Sequence, residues 1–388
     1  MLNYIKVHKK MDLLELRDKI DEIDSEIVRL YEERMEVCKK VAEYKIENGK
    51  QVFDKEREKQ KISKVKSLTH NDFNAHGIEE LFEQIMAMSR KLQYSLLDDY
   101  GANGKLPFIE VDSFDTKKAR VVFQGADGAY SQAAMIEYFG ENVNSFHVDT
   151  FRDAMLAIDE GSADFAVLPI ENSTAGAVNE IYDLLDEFEN YIVGEQIIKI
   201  EHCLMAIPGT TLDDIKTVYS HPQSLMQSSR FLKDMPWQQV SMQNNAFAAK
   251  KVLDDNDKTQ AAIASEYAAK LYGLEILKKG VNHSNTNSTR FIIVSNQKVF
   301  LKDANKISIS VQVAHESGSL YRTLSHFIYN NLNMNRIESR PLEGRNWEYR
   351  FFIDFDGNLS DSAVKNCLRG LRHEVANMKI LGNYVCAK

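Results

Sequence analysis

Three groups of residues have types and spacings suited to chemistry. The first is Arg17, Arg34 and Lys45, then Asp54, Arg57 and Glu58 at i, i+3 and i+4, then Ser89 and Gln93 four residues apart. Residues three and four apart share a helix face. Together they aim two or three cations, a carboxylate, a hydroxyl and an amide inward, which is poor core design unless a polar anion fills the space. Singly they have ordinary explanations: Arg34 serves equally as half of an interhelical ion pair or as a snorkelling side chain.

The second group lies where apolar runs break into polar turns: VLPIENSTAG (167–176), YSHPQSLMQ (219–227) and NSTRF (287–291). Turn chemistry and a helix cap account for Glu171, Asn172, Ser173 and Thr174 as simply as a ligand-binding lip does. Taken alone, SHPQ reads as a turn and TRF as ordinary strand. His221 has no paired carboxylate nearby in sequence and reads as structural. The third group is Gly318-Ser319-Leu320 and Glu338-Ser339-Arg340-Pro341, which taken alone read as a helix start and a strand-end turn.

The elements that must position these residues follow from periodicity. From Met11 to about Asn48 there is no Gly or Pro; Leu13, Ile20, Ile27 and Val41 form one heptad row and Leu16, Ile23, Leu30, Val37 and Tyr44 another, with Arg34 interrupting the first. One long helix of ~35 residues, ~50 Å at 1.5 Å per residue, needs a partner helix or subunit to cover its stripe, so a dimer is expected. A second helix carries Asp54, Arg57 and Glu58, and a third runs from about Gly77 to Leu97.

A Gly-, Asp- and Lys-rich linker at 101–117 precedes a new domain. Strands and helices alternate over 118–298 in two similar blocks, which is βαβ logic with ligand sites at strand ends. Residues 305–388 read as βαββαβ, a small ferredoxin-like domain. The expected class is therefore multidomain: an all-helical dimeric domain at 1–100, a two-lobed α/β domain and an α+β domain.

Composition sets limits. The 388 residues exceed one ordinary core, and 44% hydrophobic with 27% charged residues is a globular mixture. A net charge of −9 argues against a general nucleic-acid surface. No run approaches the ~20 apolar residues of a membrane helix, and no secretory leader is evident at the start, so a cytoplasmic location is expected. Cys38, Cys203, Cys367 and Cys386 are scattered without a C-x-x-C pair, so neither disulfides nor a zinc site is indicated. No metal or organic cofactor is expected.

Arg17, Arg34, Lys45, Asp54-x-x-Arg57-Glu58 and Ser89-x-x-x-Gln93 together resemble the all-helical chorismate mutase family. That reaction is a pericyclic rearrangement of a dicarboxylate and needs shape and placed charge, with no nucleophile. The resemblance implies that Arg17 (from the other subunit), Arg34 and Ser89 hold carboxylates. Lys45 and Gln93 would meet the ether oxygen, Glu58 and the backbone near Asp54 the ring hydroxyl, and Arg57 would support them.

IENSTAG, YSHPQSLMQ and NSTRF, with GADGAYS at 125–131, look like the signature segments of prephenate dehydratase, whose two lobes resemble periplasmic binding proteins. By that resemblance Thr289 hydrogen-bonds or relays a proton to the leaving hydroxyl and Glu171 is a second acid or orienting group. Asn172, Ser173, Thr174, Ser220 and Gln227 position substrate, and Arg290 anchors the pyruvyl carboxylate or braces the cleft. Ala129, and Asn244-Asn245 in NNAFAA, depart from the family's usual hydroxyl residues.

Gly318-Ser319-Leu320 and Glu338 to Pro341 resemble the phenylalanine-binding motifs of ACT domains, implying an intersubunit regulatory site. The expected function is a bifunctional enzyme of phenylalanine biosynthesis that takes chorismate through prephenate to phenylpyruvate, inhibited by L-phenylalanine and assembled as a homodimer or tetramer. Its rivals are a two-lobed ligand sensor and a dehydratase whose helical domain is only a scaffold.

Overall fold

The computed structural model describes residues 12–50, 52–99, 106–342, 344–345 and 347–387. The expected helix start at Met11 and residues 101–105 of the expected linker lie outside these. The chain forms two compact units. One gathers the described part of Met1–Gly104 with Ile328–Asn331 and Lys365–Glu374; the other runs from Lys105 through the remainder.

The first unit is helical. α1 (Leu13–Glu47) starts at a capping box in which the Asp12 carboxylate accepts from the first turn and Glu15 reaches back. Its 35 residues leave Ile20, Ile23, Ile27, Leu30 and Val37 between 50% and 59% exposed, while Ala42 is buried. The heptad stripe therefore faces outward in a single chain. α2 (Lys55–Lys66) is capped by Asp54, whose side chain accepts from the Arg57 N–H. Asp54 thus precedes the helix and does not share the Glu58 face. α3 (Asp72–Asp99) begins five residues before the expected Gly77, because the Asn71 side chain caps it through the Asn74 N–H.

In the second unit, β1 (Ile109–Val111) precedes a first lobe formed by β2 (Arg120–Gln124), α4 (Tyr130–Phe139), β3 (Asn144–Val148), α5 (Phe151–Asp159), β4 (Phe165–Asn172), β5 (Gly176–Ala177), α6 (Asn179–Glu187) and β6 (Tyr191–Lys199). The second lobe holds β7 (His202–Ala206), β8 (Thr217–Ser220), α7 (Pro222–Gln227), α8 (Ser229–Leu232), β9 (Gln238–Ser241), α9 (Asn245–Asp255), β10 (Gln260–Ser265), α10 (Glu266–Tyr272) and β11 (Glu275–Lys278). The chain then returns to the first lobe as β12 (Ser288–Ser295) and β13 (Val299–Leu301).

The first-lobe sheet has the order β6-β12-β4-β2-β3 and the second-lobe sheet β11-β7-β10-β8-β9. Apolar clusters fill the space between helices and sheet in each lobe, around Val122, Leu168 and Ile292 in the first and Val218, Ile263 and Ala249 in the second. Gly128, at φ +91°, lies where any side chain would press on Ala268 of the second lobe, and Ser265 Oγ donates to its carbonyl.

The chain closes with β14 (Lys306–Gln312), α11 (Ser319–Tyr329), β15 (Met334–Pro341), β16 (Tyr349–Asp356), α12 (Ser362–Glu374) and β17 (Asn377–Tyr384), whose strands order as β15-β16-β14-β17. This sheet joins the first-lobe sheet through one parallel pair, Gly382 opposite Ile192. A Cβ on Gly382 would sit 2.0 Å from the Ile192 carbonyl oxygen, so the seam requires glycine.

Candidate active sites

A cavity of about 320 Å³ opens between the two lobes. No Lys, Arg, Asp or Glu is among its lining residues. Its ionisable histidines, His202 and His221, are held neutral because burial pulls both pKa values down from 6.5. Charge comes instead from backbone: the first residues of α4 and α9 line the wall at Tyr130 and Ser131 and at Asn245 and Ala246, whereas the Gln223 and Ser224 N–H groups of α7 are taken by His221. Helix N-termini carry partial positive charge and unpaired N–H groups that favour anions. The cap of α4 is Ala129, which offers no side-chain acceptor, so no capping side chain claims its first-turn donors.

Asn172 and Thr289 meet on this wall because β4 and β12 pair with Thr289 opposite Asn172. Asn172 Nδ2 donates to Thr289 Oγ1 and to Asn287 Oδ1, each at 2.9 Å. Gln227, the last residue of α7, donates to Thr174 Oγ1 at 2.8 Å and accepts from Asn287 and from His202 Nε2. His202 also meets the Tyr130 hydroxyl through Nδ1 at 3.0 Å. Nothing in the sequence marks a role for His202, Tyr130 or Asn287, since their side-chain partners in the network lie 25 to 115 residues away.

Strand alternation sends the next residues the other way. Arg290 pairs opposite Glu171, and neither lines the cavity. Glu171 forms ion pairs with Arg336 and, at 3.5 Å, with Arg290. Arg290 reaches Glu195 at 3.2 Å and Asp354 at 3.0 Å; Lys306 completes the cluster at 2.7 Å from Glu195. Burial works against the Arg290 charge, but Tyr384, Asp354 and Glu195 raise its pKa well above the usual value. In this geometry the Arg290 guanidinium is spent on carboxylates outside the cavity lining, and the Glu171 carboxylate is paired with two arginines.

Ser220 is also off the wall. It is fully buried and donates to the Ile263 carbonyl at 2.6 Å beside Asn245 Oδ1, so it supports a lining residue. Ser173 accepts from the Ser288 N–H and ties the returning strand to β4. His221 caps α7 by accepting from the Gln223 N–H, a structural task.

In the helical unit, Arg34 of α1 donates to Ser89 of α3. Lys45 donates to the Val52 carbonyl at 2.6 Å; burial lowers its pKa while Asp54 and Glu58 oppose that. Gln93 is buried, with an amide oxygen that has no hydrogen-bond partner among the described residues. Glu58 is paired with Arg90 of α3, whose guanidinium also lies over Phe53. Arg57 is exposed, and the arginine that pairs with Glu58 is Arg90. Arg17 lies on an exposed face of α1, apart from these residues.

A smaller cavity of about 120 Å³ is lined by Ser319, Leu320, His315, Glu316, Trp347 and others near the start of α11, directly after Gly318. Glu338, Ser339, Arg340 and Pro341 lie on β15 and do not line it; Arg340 pairs with Asp183 of α6 and Glu338 with Arg336.

The family model for chorismate mutase type II matches residues 16–94 and that for prephenate dehydratase residues 121–299. A bifunctional chorismate mutase/prephenate dehydratase of Buchnera aphidicola subsp. Schizaphis graminum is 35% identical, the alignment covering 97% of each chain. A solved prephenate dehydratase from Arthrobacter aurescens in complex with L-Phe is 30% identical, with a TM-score of 0.64 over 69% of this chain and 90% of its own. A structure described as a novel type of quorum-quenching acylase, GqqA, is 33% identical with a TM-score of 0.64, covering 69% of this chain and 98% of its own. Among the described residues no helix is long and apolar enough to cross a membrane.

Proposed function

We propose sites and regulation from one premise: this chain belongs to the family of bifunctional chorismate mutase/prephenate dehydratases. It rearranges chorismate to prephenate and converts prephenate to phenylpyruvate. In the second reaction the ring carbon–carboxylate bond breaks and its electron pair enters the ring, carbon dioxide departs, and the hydroxyl on the opposite ring carbon leaves with its bonding pair, taking one proton to become water.

The observation that carries the assignment of the second site is the uncharged cleft with Thr289 on its wall. A cation clamped to the departing carboxylate would stabilise the ground state and oppose its loss. Helix N-termini bind the dianion diffusely, while Thr289 donates to the leaving hydroxyl. Asn172, Gln227 and Thr174 hold Thr289 in place, and Glu171 and Arg290 stiffen the strands behind it. Within the cleft His202 bonds Tyr130 and Gln227 and His221 bonds the Gln223 backbone, so neither is placed to activate a serine. Acyl transfer is therefore not what this geometry favours.

In the helical domain Arg34 and Ser89 receive a carboxylate, Lys45 and Gln93 the ether oxygen, and Glu58, steadied by Arg90, the ring hydroxyl. The outward stripe of α1 supports a homodimer in which the partner supplies Arg17. The domain limits follow: helical mutase at 1–100, dehydratase at 118–298 and an ACT regulatory domain at 305–388. L-Phenylalanine is its effector, bound near Gly318, Ser319 and Leu320, with Glu338 to Pro341 joining the site from a second subunit.

Lys45→Ala abolishes conversion of chorismate and spares that of prephenate, and Thr289→Ala does the reverse. Phenylpyruvate formation by the purified variants from each substrate is the assay. Loss of both activities in either folded variant contradicts two separate sites.

A further inference from the structure

The hydrogen bonds around the cleft have fixed directions, set by the backbone: Asn172 donates to both of its neighbours and Gln227 Oε1 accepts from both of its own. Asn172 Oδ1 accepts from the N–H groups of Thr174 and Ala175, at 3.1 and 2.9 Å, and Asn172 Nδ2 faces the Ser288 carbonyl. Its amide therefore has one possible orientation, with the nitrogen toward Thr289 and Asn287. Asn287 must then present Oδ1 to Asn172 and Nδ2 to Gln227. Gln227 must in turn present Oε1 to Asn287 and His202, and Nε2 to Thr174.

An acceptor facing His202 Nε2 requires a proton there. The ring is almost wholly buried, 1% exposed, in a neutral setting, so Nδ1 is left as an acceptor 3.0 Å from the Tyr130 hydroxyl, which also lies 3.0 Å from the Glu201 carbonyl. At the far end Thr289 Oγ1 accepts from Asn172, which leaves the Thr289 proton without an acceptor among the described residues and free to point into the cavity. We propose that His202 is a positioning residue of the dehydratase: as the Nε2–H tautomer it donates to Gln227 Oε1 and holds Gln227 against Asn287, which in turn holds Asn172 against Thr289. Amide links cannot pass a proton along, so the chain orients Thr289 and does not conduct protons to it. The inference rests on the role proposed above for Thr289.

The test is made on the full chain with prephenate as substrate. His202→Phe lowers kcat roughly tenfold with KM within about twofold, the scale of one lost orienting hydrogen bond that acts on a donor to the leaving group. His202→Gln, which restores an N–H near the Nε2 position, recovers kcat to within about threefold of the unaltered chain. Nitrogen-15 NMR of the unaltered chain at pH 7.5, with His202→Gln as the assignment control, shows the Nε2–H tautomer. An Nδ1–H tautomer or an imidazolium at that pH overturns the proposal even where His202→Phe fails to fold. So does a His202→Gln variant slowed tenfold, or a loss confined to KM. If Thr289→Ala turned over prephenate normally, the role of Thr289 would fail as well; if Thr289→Ala is inactive and His202→Phe is not slowed, the His202 inference alone fails.

Discussion

Arg290 stands one residue from Thr289, and replacing it by methionine separates two roles that a strand signature cannot. Methionine keeps the length and removes the charge. Truncating one member of a buried ion cluster costs about 3–5 kcal/mol. Here the orphans keep partners: Glu195 retains Lys306 at 2.7 Å and the Ala387 N–H at 2.9 Å, and Asp354 retains Ser308 at 2.6 Å. Glu171 retains Arg336. The loss therefore falls at the low end, about 3 kcal/mol, and at roughly 2–4 °C per kcal/mol for a unit of this size Tm drops by about 6–12 °C. Because the guanidinium points away from the cavity, KM for prephenate at 25 °C stays within about threefold. Were Arg290 a substrate anchor, losing a charged hydrogen bond worth about 1.5–3 kcal/mol would raise KM roughly 10- to 150-fold. Thermal unfolding followed by circular dichroism, paired with steady-state phenylpyruvate formation, measures both. A KM raised thirtyfold with Tm unchanged refutes the brace.

His202 and His221 are neutral when folded because burial lowers both pKa values, whereas the unfolded chain binds protons near 6.5. Their contribution to stability is complete above that pH and is lost as pH falls through it, at up to about 1.4 kcal/mol per pH unit for each proton. The urea midpoint of the dehydratase transition accordingly declines from pH 7.5 to 5.5, less so in His202→Gln; a flat profile contradicts the burial. On α1, Ile23→Glu or Ile27→Glu places a charge in the outward stripe, so light scattering finds smaller assemblies and chorismate turnover falls at least tenfold while prephenate turnover persists; unchanged mass would remove the case for a partner at that stripe.

Periodicity disclosed the helices because α1 keeps its heptads for 35 residues and Arg34 stands out as the exception. It misplaced the start of α3, since Asn71 as a cap is a weaker signal than a glycine six residues on. The strand-end signatures located the cleft but not its facing. Period-two alternation places Asn172 and Thr289 on the wall and Glu171 and Arg290 behind it, which is legible only once both are known to lie within paired strands. The Arg90 pairing with Glu58 and the His202 network were invisible for another reason. Their partners come from elements distant in sequence, and His202 opens an otherwise apolar strand where nothing local marks it.

The seam at Gly382 has a hereditary side. Two sheets become one of ten strands at a place with no room for a Cβ against the Ile192 carbonyl oxygen. Every missense change reachable from a glycine codon by one base adds a side chain. Neutral drift at this position therefore has only silent steps, and a lineage that loses the glycine must move the C-terminal sheet with it.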